Sequence, residues 1–193
     1  MTRQDQRRAA TISAILKSAA QLFTARGFNV TSIDDIAARA GVAKGAVYHH
    51  FASKEEIFAR VFEQMTATLA AEVASAAAGE KCMLDSFEQG TLRYLTSIAG
   101  DKFRRVLLID GPAILGWEKW REVDARYFGG SMQAPIDAKG LRSISARDME
   151  AIRHLIAGAV SEAALVCATS RNRKRAARDF TSGLLKMLAP FFQ

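Results

Sequence analysis

The sequence predicts an all-α protein, and three observations support this fold class. Apolar residues recur at helical spacing along nearly the whole chain, without the sustained alternation of a half-buried strand. Only three prolines occur in 193 residues. Glycines such as Gly27 and Gly41 stand where periodic stretches end, and glycine readily takes the left-handed conformation that terminates a helix. We therefore expect a small helical head, residues 1–52, and a larger helical body, residues 53–193.

The head is predicted to contain three helices. The first spans residues 7–26, and the third spans Lys44–His50. Thr31 is the predicted N-cap of the second helix, with Asp34 at its third position near the exposed amides. Gly41 separates the second helix from the third. The head therefore ends in two short helices joined by a glycine turn.

The body is predicted to open with a long helix over residues 53–77. Ser53 and Glu56 form a capping-box pattern at its start, and a rise of 1.5 Å per residue gives a length of roughly 35 Å. Such a helix can connect the head to the body. Further helices are expected at residues 83–99, 102–109, 113–127, 145–170 and 172–192, with breaks at 110–112 and 129–130 and a loop or frayed helix at 131–143.

The composition is that of a soluble, folded protein, with 49% hydrophobic and 24% charged residues. No apolar run approaches the roughly 20 residues of a membrane span, and the first residues lack the apolar block of a signal peptide. We therefore expect a cytoplasmic protein that does not interact with membranes. Cys82 and Cys167 have no Cys or His at metal-ligand spacing, so we expect buried, unpaired thiols.

The charge of the chain favours an anionic partner such as DNA. The net charge is +7, and residues 1–60 hold nine Lys and Arg against five Asp and Glu, which leaves +4 in the head region. A second basic patch lies at the predicted start of the last helix, and we interpret it as a solvated face rather than as a second DNA site. Cations at the start of a helix oppose its dipole, so helix stability does not account for this patch. It consists of Arg171, Arg173, Lys174, Arg175 and Arg178.

The two short helices divide into a buried and an exposed side, as in a helix-turn-helix. The residues predicted to face inward are Ile33, Ile36, Ala37, Val42, Val47 and Phe51. The exposed side of the second short helix then consists of Lys44, Gly45, Ala46, Tyr48, His49 and His50. This small, polar and aromatic surface can enter a major groove.

Several of these side chains have a direct use on DNA. Lys44 can donate to guanine edges or to phosphate, Ala46 can touch a thymine methyl, and Tyr48 can reach a base or phosphate oxygen. Gly45 lets the backbone and DNA come close. Helix starts carry free amides that favour phosphate, and three residues there are predicted to position the head: Thr31, Ser32 and Lys54.

Three segments within residues 10–58 resemble the TetR family of bacterial regulators in order and spacing: AAQLFTARGF, TSIDDIAARAGVAKGAVYHHF and SKEEIF. The resemblance implies contacts to bases or nearby backbone by Lys44, Ala46, Tyr48 and His49, and phosphate contacts by Thr31, Ser32, His50 and Lys54. It also implies an all-helical body that dimerises through its last two long helices and holds a small-molecule pocket. We therefore expect a homodimeric repressor that binds a palindromic double-stranded DNA operator and is released by a small apolar or amphipathic effector.

The residue sizes near the C-terminus also favour a dimer. Small residues at positions 157–159, 163 and 164 permit close helix approach, and bulk on the last helix comes from Leu184, Leu185, Leu188, Phe191 and Phe192. Two heads joined by symmetry can bind half-sites about 34 to 36 Å apart. We expect the ligand to tilt the helix of residues 53–77 and so to change this distance.

Aromatic side chains of the body are candidates for lining the effector pocket, although core packing explains each of them equally well. They are Phe87, Tyr94, Phe103, Trp117, Trp120 and Phe128. His154, on an apolar helix face, is a further candidate, with a core histidine as the alternative. His49 and His50 point about 100° apart on a helix and lack a third ligand, so no metal site is expected. No cofactor is expected either.

Two other classes of protein are the alternatives. An enzyme is disfavoured because the chain contains no G-x-S-x-G, H-E-x-x-H or phosphate-loop pattern and no convincing pair of Cys and His. A helical lipid carrier or scaffold would explain the apolar body, but it would not require the exposed surface of Lys44–His50. The sequence therefore favours a DNA-binding protein without enzymatic activity.

Overall fold

The computed structural model describes residues 2–80, 83–137 and 145–188. These residues form nine α-helices and one π-helix and contain no strand, which confirms the all-α prediction. The α-helices are α1 (Arg3–Arg26), α2 (Ile33–Ala40), α3 (Lys44–His50), α4 (Lys54–Ala77), α5 (Met83–Ile98), α6 (Gly111–Leu115), α7 (Trp117–Asp137), α8 (Ala146–Thr169) and α9 (Arg173–Leu188), and the π-helix spans Arg104–Asp110.

The chain packs as two units. The first unit comprises residues 1–65 and 105–120, and the second comprises residues 66–104 and 121–193. Helix α4 begins in the first unit and ends in the second without a break. The sequence predicted that the head ends at residue 52, whereas the first segment of the first packing unit ends within α4, at Met65. The boundary between residues 52 and 53 stays a prediction about the smallest part of the chain that binds DNA.

The core of the first unit is built around three aromatic rings. The Phe58 ring lies edge-on to those of Phe23 and Phe28, with centroids 5.3 Å and 5.2 Å away, and the Phe23 and Phe28 centroids are 5.7 Å apart. Phe28 thus folds back onto α1, as predicted. Ile15 and Val47, both fully buried, extend the same core along α1 and α3. Aromatic pairs of this geometry stabilise beyond the area that they bury.

Helix α2 begins one residue later than predicted. Ser32 is its N-cap, because the Ser32 hydroxyl accepts a hydrogen bond from the Asp35 amide and the Asp35 carboxylate accepts one from the Ser32 amide. The prediction of Thr31 as the cap, with Asp34 at the third position, is therefore wrong. Both pairs have capping-box spacing, but the Thr31 hydroxyl donates to the Gly27 carbonyl at 2.8 Å and is buried in this bond.

Residues 105–120 belong to the head unit because they are hydrogen-bonded to the turn that follows α1. The Phe28 amide donates to the Asp110 carboxylate at 2.9 Å, and the Arg105 guanidinium donates to the Arg26 carbonyl at 3.1 Å. Gly27 has φ +86°, a backbone conformation that side chains of L-residues rarely adopt. The turn is therefore fixed from two sides, by α1 and by the π-helix.

Gly111 lies against the Phe62 ring at the start of α6, and a side chain there has no room. An added Cβ would be 2.6 Å from Phe62 Cε2 and 3.1 Å from the Val106 carbonyl oxygen. We expect Gly111→Ala to lower the free energy of unfolding by about 1–3 kcal/mol, measured by urea denaturation. Gly129→Ala is the control, because a Cβ there meets nothing within 4 Å and should stabilise α7 by about 0.5–1 kcal/mol. If Gly111→Ala and Gly129→Ala both stabilised the protein, or both destabilised it, the expected clash at Gly111 would be contradicted.

In the second unit, α5, α8 and α9 pack against one another. Cys167 is fully buried, as expected for an unpaired thiol, whereas Cys82 lies outside the described residues. Within α8, the 20 residues Glu150–Thr169 have a mean hydropathy of 1.4, enough by length and composition to cross a membrane. The stretch contains the charged residues Glu150, Arg153 and Glu162, so it is not an uninterrupted apolar run of that length. Only 33% of the stretch is buried, so much of this apolar surface is exposed.

Several predicted helix limits differ from the structure. The segment predicted as a helix at residues 102–109 is mostly the π-helix, and α7 continues through Gly129 and Gly130 to Asp137. The predicted break at 129–130 is therefore wrong, and of the two alternatives for the following segment, loop or frayed helix, residues 131–137 are helical. Residues 138–144 and 189–193, which include Phe191 and Phe192, lie outside the described residues.

Candidate nucleic-acid interface

Helices α2 and α3 form the predicted pair of short helices. Gly41 ends α2 in the left-handed conformation, with φ +69°, and its amide bonds back to the carbonyls of Ala37 and Ala38. Val47 is fully buried, which fixes the side of α3 that faces the core. The predicted inward positions hold for Ile36, Ala37, Val47 and Phe51, whereas Ile33 and Val42 are half-buried.

The outward side of α3 is a continuous surface without bulky aliphatic residues. Lys44, Gly45, Tyr48 and His49 are exposed, and Tyr48 has 53% of its surface accessible. Ala46 and His50 are half-buried at the margins of this surface. The structure thus brings together all six residues of α3 that were predicted to face DNA. We call these six residues the recognition face.

Lys44 forms an ion pair with Asp34 across the turn between α2 and α3. The Lys44 Nζ atom lies 3.0 Å from the Asp34 carboxylate. This hydrogen bond and the charge of Asp34 raise the pKa of Lys44, so the ammonium stays charged. Because both groups are solvent-exposed, the pair can open at little cost when an anion approaches. The sequence analysis did not predict this ion pair. The signal for it was an acidic residue in the first turn of α2 and a lysine at the start of α3, with only a short turn between the two helices.

The predicted phosphate contacts beside α3 have different environments. Ser32 is exposed at the start of α2, and its hydroxyl also donates to the Asp35 carboxylate at 2.7 Å. These bonds lower the pKa of Asp35. Thr31 is 1% exposed and its hydroxyl is used inside the head, so we assign it to support of the turn rather than to phosphate binding.

Lys54 holds the same turn from the start of α4. Its Nζ atom donates to the carbonyls of Phe28 and Thr31, both at 2.9 Å, and lies 4.1 Å from the centre of the Phe28 ring. An ammonium has three donors, and two are used here. Lys54 therefore holds the turn between α1 and α2 in place. Its third donor remains for the phosphate contact that the sequence predicted.

His49 and His50 adjoin at the end of α3, with ring centroids 5.0 Å apart. Burial, then the neighbouring His49 and Arg8, lower the pKa of His50 and so favour its neutral ring. Its Nδ1 atom is buried and has no hydrogen-bond partner among the described residues. Within residues 2–80, 83–137 and 145–188, no three His, Cys, Asp or Glu side chains could hold a metal ion together.

The residues predicted to line an effector pocket do not share one unit. Phe87, Tyr94, Phe103 and Phe128 are buried in the second unit, where the rings of Tyr94 and Phe128 meet edge-on at 5.1 Å. Trp117 and Trp120 belong to the first unit. Trp120 is buried and donates to the Leu107 carbonyl at 3.0 Å, whereas Trp117, stacked on it, is 61% exposed.

His154 is an exposed residue of α8. Its side chain is 66% exposed, and its Nε2 atom lies 3.2 Å from the Glu150 carboxylate one turn earlier. The interpretation of His154 as a core histidine is therefore wrong. Apolar residues of α8 are found on both its buried and its exposed sides, since Ile156 and Val160 are buried whereas Leu155 is exposed. An apolar neighbourhood in the sequence therefore did not imply burial.

Asp124 is a carboxyl group placed near the buried Tyr94. Burial raises the pKa of Asp124 to about 6, with Arg121 opposing the shift, and burial also raises the pKa of Tyr94. An unfolded carboxyl ionises near pH 3.8, so between pH 4 and 6 the folded chain binds more protons than the unfolded chain. The stability contribution of Asp124 therefore falls as pH rises through this window.

We expect Asp124→Asn to remove this pH dependence. At pH 7 the variant should be more stable than the wild type by on the order of 2 kcal/mol, because the asparagine has no charge to bury. Urea denaturation at pH 4, 5, 6 and 7 measures the difference. Glu118→Gln, at an exposed position of α7, is the control and should leave the pH profile unchanged. A constant difference between Asp124→Asn and wild type at all four pH values would contradict the prediction.

Known proteins match both the head and the body of this chain. The family model described as "Bacterial regulatory proteins, tetR family" matches residues 15–61, and that described as "Tetracyclin repressor-like, C-terminal domain" matches residues 84–191. The TetC protein of transposon Tn10 from Escherichia coli is 26% identical over 153 residues, which cover 77% of this chain and 75% of TetC.

Two further comparisons separate the head from the whole fold. The transcriptional repressor KstR2 of Mycobacterium tuberculosis is 51% identical over 43 residues, which cover 22% of each chain. The crystal structure of a TetR-family regulator from Pectobacterium atrosepticum has a TM-score of 0.71 at 26% identity, and the match covers 97% of this chain and 96% of that one. The match to KstR2 has the higher sequence identity but covers a short segment, whereas the match to the Pectobacterium structure extends over nearly the whole fold.

Proposed function

Because the chain belongs to the tetR family of bacterial regulatory proteins, and so is a DNA-binding transcriptional regulator, we propose that it represses transcription as a homodimer on a palindromic operator. The observation that carries this proposal is the recognition face of α3. It presents a charged ammonium, a glycine, a phenol and two imidazoles on a helix whose other side is anchored by Val47. No catalytic role is needed to explain these residues, and we propose a cytoplasmic regulator without enzymatic activity.

The roles on DNA follow from side-chain chemistry. Lys44 and Tyr48 donate to base edges or phosphate oxygens, Ala46 contacts a thymine methyl, and His49 reaches bases or nearby backbone. Ser32 and His50 bind phosphate, while Lys54 contributes its third donor and holds the turn. When DNA binds, Lys44 exchanges the Asp34 carboxylate for the nucleic acid. KstR2, which shares the head, is named a repressor, and this supports the sign of regulation that we propose.

The experiment that tests DNA binding is selection of bound duplexes from a random pool. We expect enriched sequences with two related half-sites whose centres are about 34 to 36 Å apart, one helical turn of DNA or a multiple of it. A gel shift of the selected duplex at two salt concentrations should show tighter binding at the lower one. Failure to enrich any sequence would refute the proposed function.

Gly45 offers a test of close approach to DNA. In the free protein, a Cβ on Gly45 meets nothing within 4 Å, so Gly45→Ala should raise the stability of α3 by about 0.5 kcal/mol. On DNA, the added methyl separates the helix from the groove, and we expect the operator affinity to fall about tenfold. Urea denaturation and gel shift measure the two effects. Gly129→Ala is the control and should leave affinity unchanged, so a Gly45→Ala variant with wild-type affinity would contradict the close approach.

A stripe along α8 supports the proposed dimer. Residues at steps of three and four, which share one side of a helix, are exposed and mostly small or apolar. They are Leu155, Gly158, Ala159, Glu162, Leu165 and Val166; Leu155 is 72% exposed, and Glu162 is the one charged residue among them. Ala163 and Ala164, predicted for the same contact, are instead buried within the unit. A second copy of the chain that covers this stripe would remove the apolar surface from water.

Release of DNA by an effector is the remaining part of the proposal. Helix α4 extends unbroken from the first unit into the second, so a ligand that favours one arrangement of the second unit can bias the direction of α4. The aromatic cluster that includes Tyr94 and Phe128 favours a small apolar or amphipathic molecule. Titration of the operator complex with small phenols and fatty acids tests this step. An affinity for DNA that no compound changes would refute effector release while leaving DNA binding intact.

A further inference from the structure

The N-terminal part of α1 extends beyond the head core and is strongly basic. Residues 2–10 are all exposed, and the first buried residue of α1 is Ile15. The match to the family model begins at residue 15, so this segment precedes the matched motif. It contains three arginines, Arg3, Arg7 and Arg8. We call residues 2–10 the α1 arm.

The α1 arm is helical because its start is capped. The Thr2 hydroxyl accepts from the Asp5 amide at 3.2 Å, and the Asp5 carboxylate accepts from the Thr2 amide at 2.8 Å. These bonds lower the pKa of Asp5. The acidic group of the arm is therefore used by the cap, and the arginines are presented on a regular helix.

Helix stability does not explain the arginines. The N-terminal end of a helix carries a partial positive charge, so cations in its first turns oppose the dipole. Within the described part of the chain, none of the three guanidinium groups forms an ion pair. Arg3 lies in the first turn and opposes the dipole, whereas Arg8 attracts the Asp5 carboxylate one turn earlier. An anionic partner would add an attraction that the arginines lack in the free protein.

The side of α1 that packs into the head becomes basic where the helix leaves the core. Leu22, Ala19 and Ile15 are buried on one side of α1, and Ile12 is half-buried one turn earlier. Arg8 lies two turns before Ile15 and thus on the same side. Arg3 and Arg7, one turn apart, occupy the adjoining side.

The α1 arm adjoins the recognition face. The Arg8 guanidinium is close enough to His50 to act on its charge, and His50 ends α3. Both residues belong to the first unit, so Arg8 lies on the head together with the end of α3 at which phosphate contacts are proposed.

We propose that the α1 arm is a second DNA-contacting element, in which Arg8, with Arg7 and Arg3, binds backbone phosphates next to those at His50. This inference rests on the proposed DNA binding. Guanidinium groups pair with phosphate oxygens through two parallel hydrogen bonds, and such contacts carry no sequence information. The arm therefore adds affinity and salt dependence, while the recognition face determines the sequence.

The test compares two variants that lose the same charge at different places. Arg7→Gln/Arg8→Gln removes two cations from the arm, and glutamine keeps a good helix propensity. Arg171→Gln/Arg178→Gln removes two exposed cations from the second unit. Affinity for the selected operator duplex is measured at several salt concentrations between about 0.05 and 0.3 M.

A dimer would lose four phosphate contacts in the arm variant, so the slope of log affinity against log salt should fall by about 3 to 4. We expect its affinity at about 0.1 M salt to fall tenfold to a hundredfold, with unchanged base preference. The control variant should keep the slope of the wild type to within about one. Arg7→Lys/Arg8→Lys should restore most of the slope, because lysine keeps the charge.

The outcomes separate the two proposals. If the wild type binds no selected duplex at any salt, the proposed function is refuted. If the wild type binds and the arm variant keeps its slope and affinity, DNA binding stands and the arm proposal is refuted. An equal loss in the arm variant and in Arg171→Gln/Arg178→Gln would also refute it, because net charge would then explain the effect. Circular dichroism of the arm variant should match the wild type.

Discussion

Replacing Leu155 and Leu165 with glutamate is expected to split the dimer into monomers and to lower operator affinity by about a thousandfold. Burial of one leucine side chain contributes about 1.5–3 kcal/mol, and each substitution occurs twice in a symmetric dimer. Each glutamate adds the cost of removing a charge from water. The free energy of association should therefore fall by more than about 4 kcal/mol, which corresponds to a thousandfold rise in the dissociation constant.

Both leucines are exposed in the single chain, so the substitution should not unfold it. Sedimentation at several protein concentrations measures the dimer, and a gel shift measures operator binding. Val30→Glu is the control, because Val30 is 69% exposed in the first unit and should leave the dimer intact. A Leu155→Glu/Leu165→Glu protein that sediments as a dimer would exclude the α8 stripe as the interface.

Phe58→Ala is expected to lower the free energy of unfolding of the head by about 3–5 kcal/mol. Phe58 is fully buried, and its ring is edge-on to those of Phe23 and Phe28. Alanine would leave a cavity in the aromatic core and would remove the support of the turn that Lys54 holds. Since whole domains are stable by only about 5–15 kcal/mol, much of the head should be unfolded in mild urea.

Urea denaturation followed by gel shift distinguishes this effect from a loss of contacts with DNA. Phe58→Leu keeps most of the volume and should lose less than about 1.5 kcal/mol. Val30→Ala, at an exposed site, should change stability by no more than about 0.5 kcal/mol. A loss below about 1 kcal/mol for Phe58→Ala would contradict the central place of this ring in the core.

The parts of the head that local patterns determine were predictable from the sequence. The glycine at position 41, the buried Val47 and the outward residues of α3 are neighbours along the chain, and helical periodicity alone assigns their sides. The cap of α2 was misplaced by one residue because Thr31 and Ser32 both have an acid three positions later. Only the packing of Thr31 against Gly27 distinguishes the two.

Contacts between distant segments were not predictable from a single sequence. Nothing in the order of residues indicates that Asp110 accepts a hydrogen bond from Phe28, or that Arg105 reaches the Arg26 carbonyl. The exposure of His154 was also missed, because the apolar pattern of α8 serves two surfaces. Such pairings depend on tertiary packing, whereas periodicity reports only which side of one helix is apolar.

The bonds from Asp110 and Arg105 also bear on how regulators of this kind can be recombined. A graft of residues 1–65 onto a foreign body would strip the Phe28 amide and the Arg26 carbonyl of their partners and uncover the Phe62 ring beside Gly111. A working chimera therefore has to carry residues 105–120 as well. A single crossover after α4 separates the two pieces of the head, whereas a single crossover after residue 120 transfers both pieces, and with them the operator preference, to the new protein.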